Sequence, residues 1–353
     1  MGTESIEASF LSIFALISFF IFFITSKYSY KIKNGALLDI DFIKPQAFHK
    51  YPVSRSGGVG AIICLSIFFS FYYLLYSKIL YNYLFISFTM FFIGFLDDLK
   101  INIKPFKRLA IMIFLLFFLI YFLPIKILNI DLSFLKILLS NDLFSSIFAL
   151  ICFLFVINGA NLVDGFNGLL SLNLIIINII LTIINLNSAN MEFSFLLIGQ
   201  IIILLIFLLF NFPNAKIFMG DSGAYLFGSL IALNTIITNN LNPNISSFFF
   251  CTLLFYLFFE VFFSFFRKIY QKKSPIYPDD KHLHMLSYYK ISQYFGKERG
   301  NFINSIIVNL IYLILIIPGL YFIDNPDFSR YWFYVTLAIY LFIYSRLYHL
   351  TKN

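Results

Sequence analysis

The chain has 353 residues, 60% of them hydrophobic and 12% charged, about half the charged fraction of an ordinary soluble domain. That composition excludes a soluble globular fold and supplies apolar material for roughly ten helices of the 20 or so residues that cross a bilayer. The net charge of +8 does not call for a nucleic acid partner, because a basic excess in such a chain reflects loops retained in the cytoplasm.

A transmembrane barrel is excluded as well, since its strands alternate apolar and polar residues, whereas 201–210 is unbroken Ile, Leu and Phe. Apolar runs fall at 9–26, 58–77, 79–96, 109–123, 143–160, 168–185, 193–212, 223–239, 247–266, 302–322 and 331–348, about eleven spans. The fold class is all-α: a polytopic integral membrane protein of one domain, 1–353, embedded in a lipid bilayer. The first run follows Glu4 and Glu7 instead of the basic stretch of a cleavable signal, and is read as a helix that stays. Cys64, Cys152 and Cys251 sit in different apolar runs and read as packing residues. Between the fourth and fifth runs, Leu128, Leu132, Leu135 and Leu139 have helical spacing while 125–134 half-alternates, so an interfacial helix and a small hairpin both stay open.

Lys and Arg set the direction of threading. Lys27, Lys31, Lys33, Lys44, Lys50 and Arg55 follow the first run, and Lys100, Lys104, Lys107 and Arg108 the third. Arg267, Lys268, Lys272, Lys273, Lys281, Lys290, Lys297 and Arg299 follow the ninth. These loops are therefore expected inside, with the N-terminus outside and the C-terminus cytoplasmic.

Four polar clusters stand at run ends on that same side, in loops near 97–108, 158–168, 211–222 and 267–301, with 27–57 as a fifth inner loop. Asp97-Asp98 closes the third run; alone it reads equally as a solvated pair or as ligands for a hard cation, which takes one or two carboxylates plus substrate phosphates. Asn158, Asn161 and Asp164 recur every three residues, so their side chains share a helical face suited to a base or sugar, although a glycine-rich helix end is the plainer reading. The run Asn211 to Gly223 enters the eighth span at Asp221, either an N-cap or a cation ligand beside a helix N-terminus that favours anions. His282 and His284, in a wet basic loop, are either surface residues or donors to a diphosphate. Glu260 stands alone among apolar neighbours, facing the bundle interior or reaching toward the inner loop.

The order and wording of these clusters resembles the polyprenyl-phosphate N-acetylhexosamine-1-phosphate transferases, glycosyltransferase family 4. The resemblance runs from the stretch His49 to Gly58, through Gly94 to Lys100 with Pro105 to Leu109, to the runs 158–169 and 211–223 and on to His284. It implies transfer of a sugar 1-phosphate from a UDP-sugar to polyprenyl phosphate, undecaprenyl by expectation, with release of UMP. In bacteria this step opens cell-envelope glycan synthesis, O-antigen and lipopolysaccharide included, at the cytoplasmic face of the inner membrane. It further implies Mg²⁺, or Mn²⁺ in its place, held by Asp221 with Asp98 nearby, and Asp97 orienting the lipid phosphate or taking its proton. Asn158, Asn161, Asp164 and Asn211 would line the uridine or sugar pocket, Phe218 would stack on uracil, and His282 and His284 would stand near the diphosphate. Lys50, Arg55, Lys107 and Arg108 are the phosphate-binding candidates. Two residues depart from the pattern: Asn167 replaces a usual Asp, and Met285 a common further His. The thin histidine motif and the Pro52 to Gly58 loop favour the N-acetylhexosamine branch over the muramyl-pentapeptide one. A homodimer is compatible with this reading and nothing in the sequence requires it. The rival, a transporter or flippase for a polyprenyl-linked glycan, would place ionisable residues near the midplane, where this chain has almost none.

Overall fold

In the computed structural model, which describes residues 3–40, 51–101, 103–275 and 279–352, each apolar run of the sequence is helical. Helix α1 (Thr3–Tyr28) leads through a 3-10 turn to strand β1 (Leu38–Asp39), which pairs antiparallel with β2 (Val53–Ser54), Leu38 opposite Ser54. There follow α2 (Gly57–Tyr76), α3 (Tyr81–Asp98), α4 (Pro105–Phe122), the short α5 (Ser133–Leu138), α6 (Asp142–Val163), α7 (Leu169–Asn187), α8 (Met191–Asn211) and α9 (Gly220–Leu241). The chain ends with α10 (Ser247–Leu253), α11 (Phe255–Tyr270), α12 (Leu283–Phe295), α13 (Lys297–Tyr321) and α14 (Pro326–Lys352). Local chemistry sets several of these starts. Pro105, which has no N–H to leave unpaired, opens α4, and the Asn141 side chain accepts the Phe144 N–H to cap α6.

Among the described residues seven helices are long and apolar enough to cross a membrane: α1, α2, α4, α6, α7, α8 and α13. An eighth span results if α10 and α11 count as one, but they meet at a 75° bend, so the run 247–266 is a broken helix and not the straight span expected from sequence. Among the described residues, seven or eight apolar membrane-crossing helices thus stand where about eleven spans were expected. Helix α9 shows why. It packs against α3, α6, α2 and α7, and almost all its residues from Gly220 to Asn239 are buried, so it has no lipid-facing stripe to keep apolar. Its polar side chains find partners inside the bundle. Asn234 accepts from the Tyr83 hydroxyl (2.8 Å) and donates to Gln200 (2.7 Å) and Asn178 (3.1 Å), and Asn185 donates to Thr238 (2.9 Å). Such interhelical bonds replace water where lipid offers none. At the periphery, α1 and α4 are the opposite case, mostly uncovered by protein.

The segment expected as a helix or hairpin is only partly either: 133–138 forms α5, and the chain before it is irregular. Amides of α9 and the following loop hold it, with Asn240 accepting from the Leu128 N–H and Asn129 donating to the Pro243 and Ile245 carbonyls. Of the cysteines, Cys64 is buried but Cys251 is exposed on α10, so packing describes the first and not the last.

Helices alternate in direction, and the C-terminal ends of α3, α6, α8 and α11 therefore meet the N-terminal ends of α4, α7, α9 and α13 at one end of the bundle. Three of the four polar clusters lie on these ends and the fourth, Asp279 to His284, on the loop from α11 into α12.

Candidate active site

The start of α9 organises this end. Gly94 on α3 has no side chain, and a Cβ there would lie 2.4 Å from the Asp221 carbonyl, so the two helices touch backbone to backbone. That contact brings Asp98, one helical turn on, under the first turn of α9. Its Oδ1 accepts the Asp221 N–H (3.0 Å), while Oδ2 accepts the Ser222 N–H (2.9 Å) and hydroxyl (2.5 Å). Gly220, at φ +73, makes the entry turn with its Cα against the Asp98 carboxylate. On the other side β2 is laced to the same entry: the Phe218 N–H donates to the Ser54 carbonyl (2.7 Å), and the Gly57 N–H to that of Phe218 (2.9 Å).

Asp98 is 1% exposed with both oxygens engaged. The expectation that it sits beside Asp221 as a second metal ligand, or meets substrate, gives way to a capping role behind the site. Burial pushes its carboxyl up to about 6, against the Ser222 donors and the Arg55 guanidinium 3.9 Å away. Asp97 and Asp221 both face the cavity, and one guanidinium nitrogen, Nη1 of Arg108, reaches both, at 2.5 and 2.9 Å. The Arg108 guanidinium lies 5.7 Å from the centre of the Tyr225 ring, one turn along α9. Arg55 donates to Asp39 through Nε (3.1 Å) and Nη2 (2.7 Å). Asp164 lies just past the end of α6; burial pushes its carboxyl up to about 7 although Arg55 favours the charge.

These groups border a cavity of about 1440 Å³. Asn158, Asn161, Asp164, Asn167 and Phe218 lie on its wall, as do Arg55, Arg108, Asp221 and His282. Asn211 also borders it, but its amide is used up: Oδ1 accepts the Gly168 N–H (2.7 Å) and Nδ2 donates to the Ile217 carbonyl (2.9 Å), tying the two glycine-rich runs together. Two expectations are corrected. Lys107 is exposed on the face of α4 turned away from Arg108 and does not reach the cavity, because successive helical residues point about 100° apart. His284 is fully buried, its Nδ1 3.1 Å from the Tyr256 hydroxyl and its ring edge-on to Phe166. Burial pushes its imidazole down to about 3, which leaves it neutral. Lys50 falls outside the described residues.

The sequence reading missed Asp39, Tyr225, Lys268, Lys297 and Asn301, all on the cavity wall. Tyr225 follows Asp221 by four, a spacing that puts both on one helix face. Asn301 accepts the Asn167 N–H (2.8 Å) and Asn167 donates to the Pro213 carbonyl (2.8 Å), so the residue standing in place of a usual Asp ties three segments together.

Residues 80–239 match the family described as glycosyl transferase family 4. An undecaprenyl-phosphate alpha-N-acetylglucosaminyl 1-phosphate transferase from Thermotoga maritima is 32% identical over 148 residues, 42% of this chain and 45% of that one. A phospho-N-acetylmuramoyl-pentapeptide-transferase from Streptococcus thermophilus is 35% identical over 153 residues, 41% of this chain and 44% of that one. One of the same description from Dictyoglomus turgidum is 29% identical over 235 residues, 63% of this chain and 73% of the relative. The chain thus matches less than half the length of the first two, and both branches weighed above are represented.

Proposed function

We propose, on the premise that residues 80–239 belong to glycosyl transferase family 4, that the protein moves a sugar 1-phosphate from a UDP-sugar to a polyprenyl phosphate and releases UMP. One observation carries the reading: two carboxylates, Asp97 and Asp221, bridged by Arg108 at the N-terminus of α9, open onto a large cavity walled by amides on α6. The Thermotoga maritima relative, named for undecaprenyl phosphate and N-acetylglucosaminyl 1-phosphate, supports that lipid as acceptor and an N-acetylhexosamine as the sugar.

Mg²⁺, or Mn²⁺ in its place, fits this donor set. Asp97 and Asp221 already share one cation, the Arg108 guanidinium, and so offer two carboxylates to a single positive charge. That suits a hard cation that keeps waters and takes its other oxygens from substrate phosphates. When bound there it supplies charge neutralisation at the transferred phosphoryl group.

The chain's own residues do the rest. An oxygen of the lipid phosphate attacks the β-phosphorus, the bond from that phosphorus to the bridging oxygen breaks, and the oxygen leaves with UMP, so positioning dominates catalysis. Arg55 and Arg108 hold phosphate oxygens. Asp97 orients the acceptor and takes any residual proton, of which few remain at pH 7 on a monoester whose second pKa is about 6. Asn158, Asn161 and Asp164 address the base or sugar, Phe218 stacks on uracil, and His282 donates to the diphosphate. Leu109 and Met112 of α4 with Val261 and Phe265 of α11 give the cavity an apolar flank for the lipid.

The protein would work in the bacterial inner membrane with this end in the cytoplasm, since Arg55, Arg108, Lys216, Lys268 and Lys297 all gather here. Its product would start an envelope glycan such as O-antigen. Membranes carrying the protein, given Mg²⁺, undecaprenyl phosphate and a panel of UDP-N-acetylhexosamines, should release UMP with one sugar and yield a lipid-extractable sugar diphosphate. No product from folded protein with any donor would sink the reading.

A further inference from the structure

The proposed reaction gives Glu260 no part, yet this carboxylate lies in α11 among Phe, Leu and Val with 1% exposure. Burying an unpaired charge there would be costly, and all its oxygens are engaged. Oε1 faces His282 Nδ1 at 3.0 Å and accepts the Leu283 N–H at 3.1 Å, while Oε2 accepts the Tyr340 hydroxyl of α14 at 2.5 Å. An ionised carboxylate only accepts, so each ring nitrogen that hydrogen-bonds to one carries a proton. The second ring nitrogen, Nε2, points the opposite way, 3.2 Å from Asp279 Oδ1, and Asp279 is in turn gripped by Arg267 Nη1 (2.7 Å) and Nη2 (3.2 Å). The face of the His282 ring is covered by His284, parallel within 5° at 5.6 Å between centres. Of the two histidines, only His282 borders the cavity.

We propose that Glu260 is a positioning residue: pinned by Tyr340, it holds the Nδ1–H of His282 and so fixes the ring at the cavity wall, where the Nε2–H that now meets Asp279 donates instead to a phosphate oxygen of the nucleotide sugar. The inference rests on the transferase reading. A glutamine at 260 has one oxygen and one NH₂ end to satisfy three donors, so either Leu283, Tyr340 or His282 loses its acceptor and the ring is free to rotate. Tyr340 makes the last helix part of the site without touching substrate, because it holds the carboxylate that holds the ring.

A double-mutant cycle separates this from a merely structural role, since coupling appears only if one residue acts through the other. Glu260→Gln should lower kcat by about ten- to a hundredfold, the usual cost of losing a carboxylate that orients a functional histidine, with KM for the lipid acceptor within about twofold. In a His282→Ala background the same change should cost less than about twofold, its route being gone. Tyr340→Phe, which deletes one oxygen, should cost about three- to tenfold alone and nothing in that background; it carries the cycle if Glu260→Gln fails to fold. Equal losses in both backgrounds, or parental kcat in Glu260→Gln, overturn the proposal. A parent inactive with every donor overturns the transferase reading instead, and the pair is then read from the His282 imidazole nitrogen resonances. Glu260→Gln must move Nδ1 there; an unmoved resonance overturns the proposal by itself.

Discussion

The two halves of α9 spend their polar residues differently. Its first turn carries Asp221 and Ser222 against Asp98, Asp97 and Arg108, a knot of charge open on one side to the cavity. Its middle and far half carry Asn234 and Thr238, neutral groups closed upon Tyr83, Gln200, Asn178 and Asn185. Both sets are buried in an apolar bundle, but only the first leaves ionised groups facing a space large enough for a ligand. What marks a site in a membrane protein is therefore charge that stays partly open, while satisfied amides mark the scaffold.

The comparison breaks most sharply at Asp221. Asp221→Asn should lower transfer by about a thousandfold or more, some 4 kcal/mol of transition-state stabilisation, with insertion and thermal unfolding near the parent's; activity within threefold would remove Asp221 from the site. Asp98→Ala tests whether the neighbour behind it belongs to the scaffold. It strips the cap from three donors, so the unfolding midpoint should fall by the equivalent of about 2 to 3 kcal/mol along with activity, whereas loss of activity at parental stability would return Asp98 to the reacting centre.

Asp164 sharpens the same boundary through pH. Its carboxyl is raised to about 7 from an ordinary 3.8, so it charges as pH rises through 7, and activity needing the carboxylate should fall about tenfold for each unit below that. Stability runs the other way: the native state holds this proton more tightly than the unfolded one, so this contribution is complete below about pH 4 and is lost as pH rises through 7. Asp164→Asn should abolish that acid limb in the pH–rate profile; an unchanged limb would assign it elsewhere. The smallest effect belongs to the scaffold half. Asn234→Leu leaves Tyr83, Gln200 and Asn178 short of a partner and should cost about 1 kcal/mol, within the range measured for interhelical bonds in membranes, with KM unchanged. A raised KM would join the amide network to the site.

Much of this was legible in the sequence because periodicity and charge are local signals. Every long apolar run is a helix, and the polar clusters named from spacing alone do converge, since alternate threading brings run ends together. Choices between adjacent residues were not legible. Asp97 and Asp98 are chemically identical, and only the closeness of α3 to α9 at Gly94 turns one under the helix and leaves the other in the cavity. His282 and His284 differ in the same way, by the partner that folds over each: Glu260 for one, Tyr256 and Phe166 for the other. Asn211 looked like a recognition amide because nothing local reveals that Gly168 and Ile217 consume it. The break after Leu253 was hidden too, its neighbours being apolar on both sides.

That break has a kinetic meaning. The 75° turn between α10 and α11 swings α11 aside, and Val261 and Phe265 become wall of the cavity together with Met112. On the transferase reading, the lipid acceptor would then arrive from a two-dimensional phase and not from bulk water. Velocity would follow the mole fraction of polyprenyl phosphate in the vesicle or micelle, and adding inert lipid at constant total acceptor would slow the enzyme by surface dilution alone.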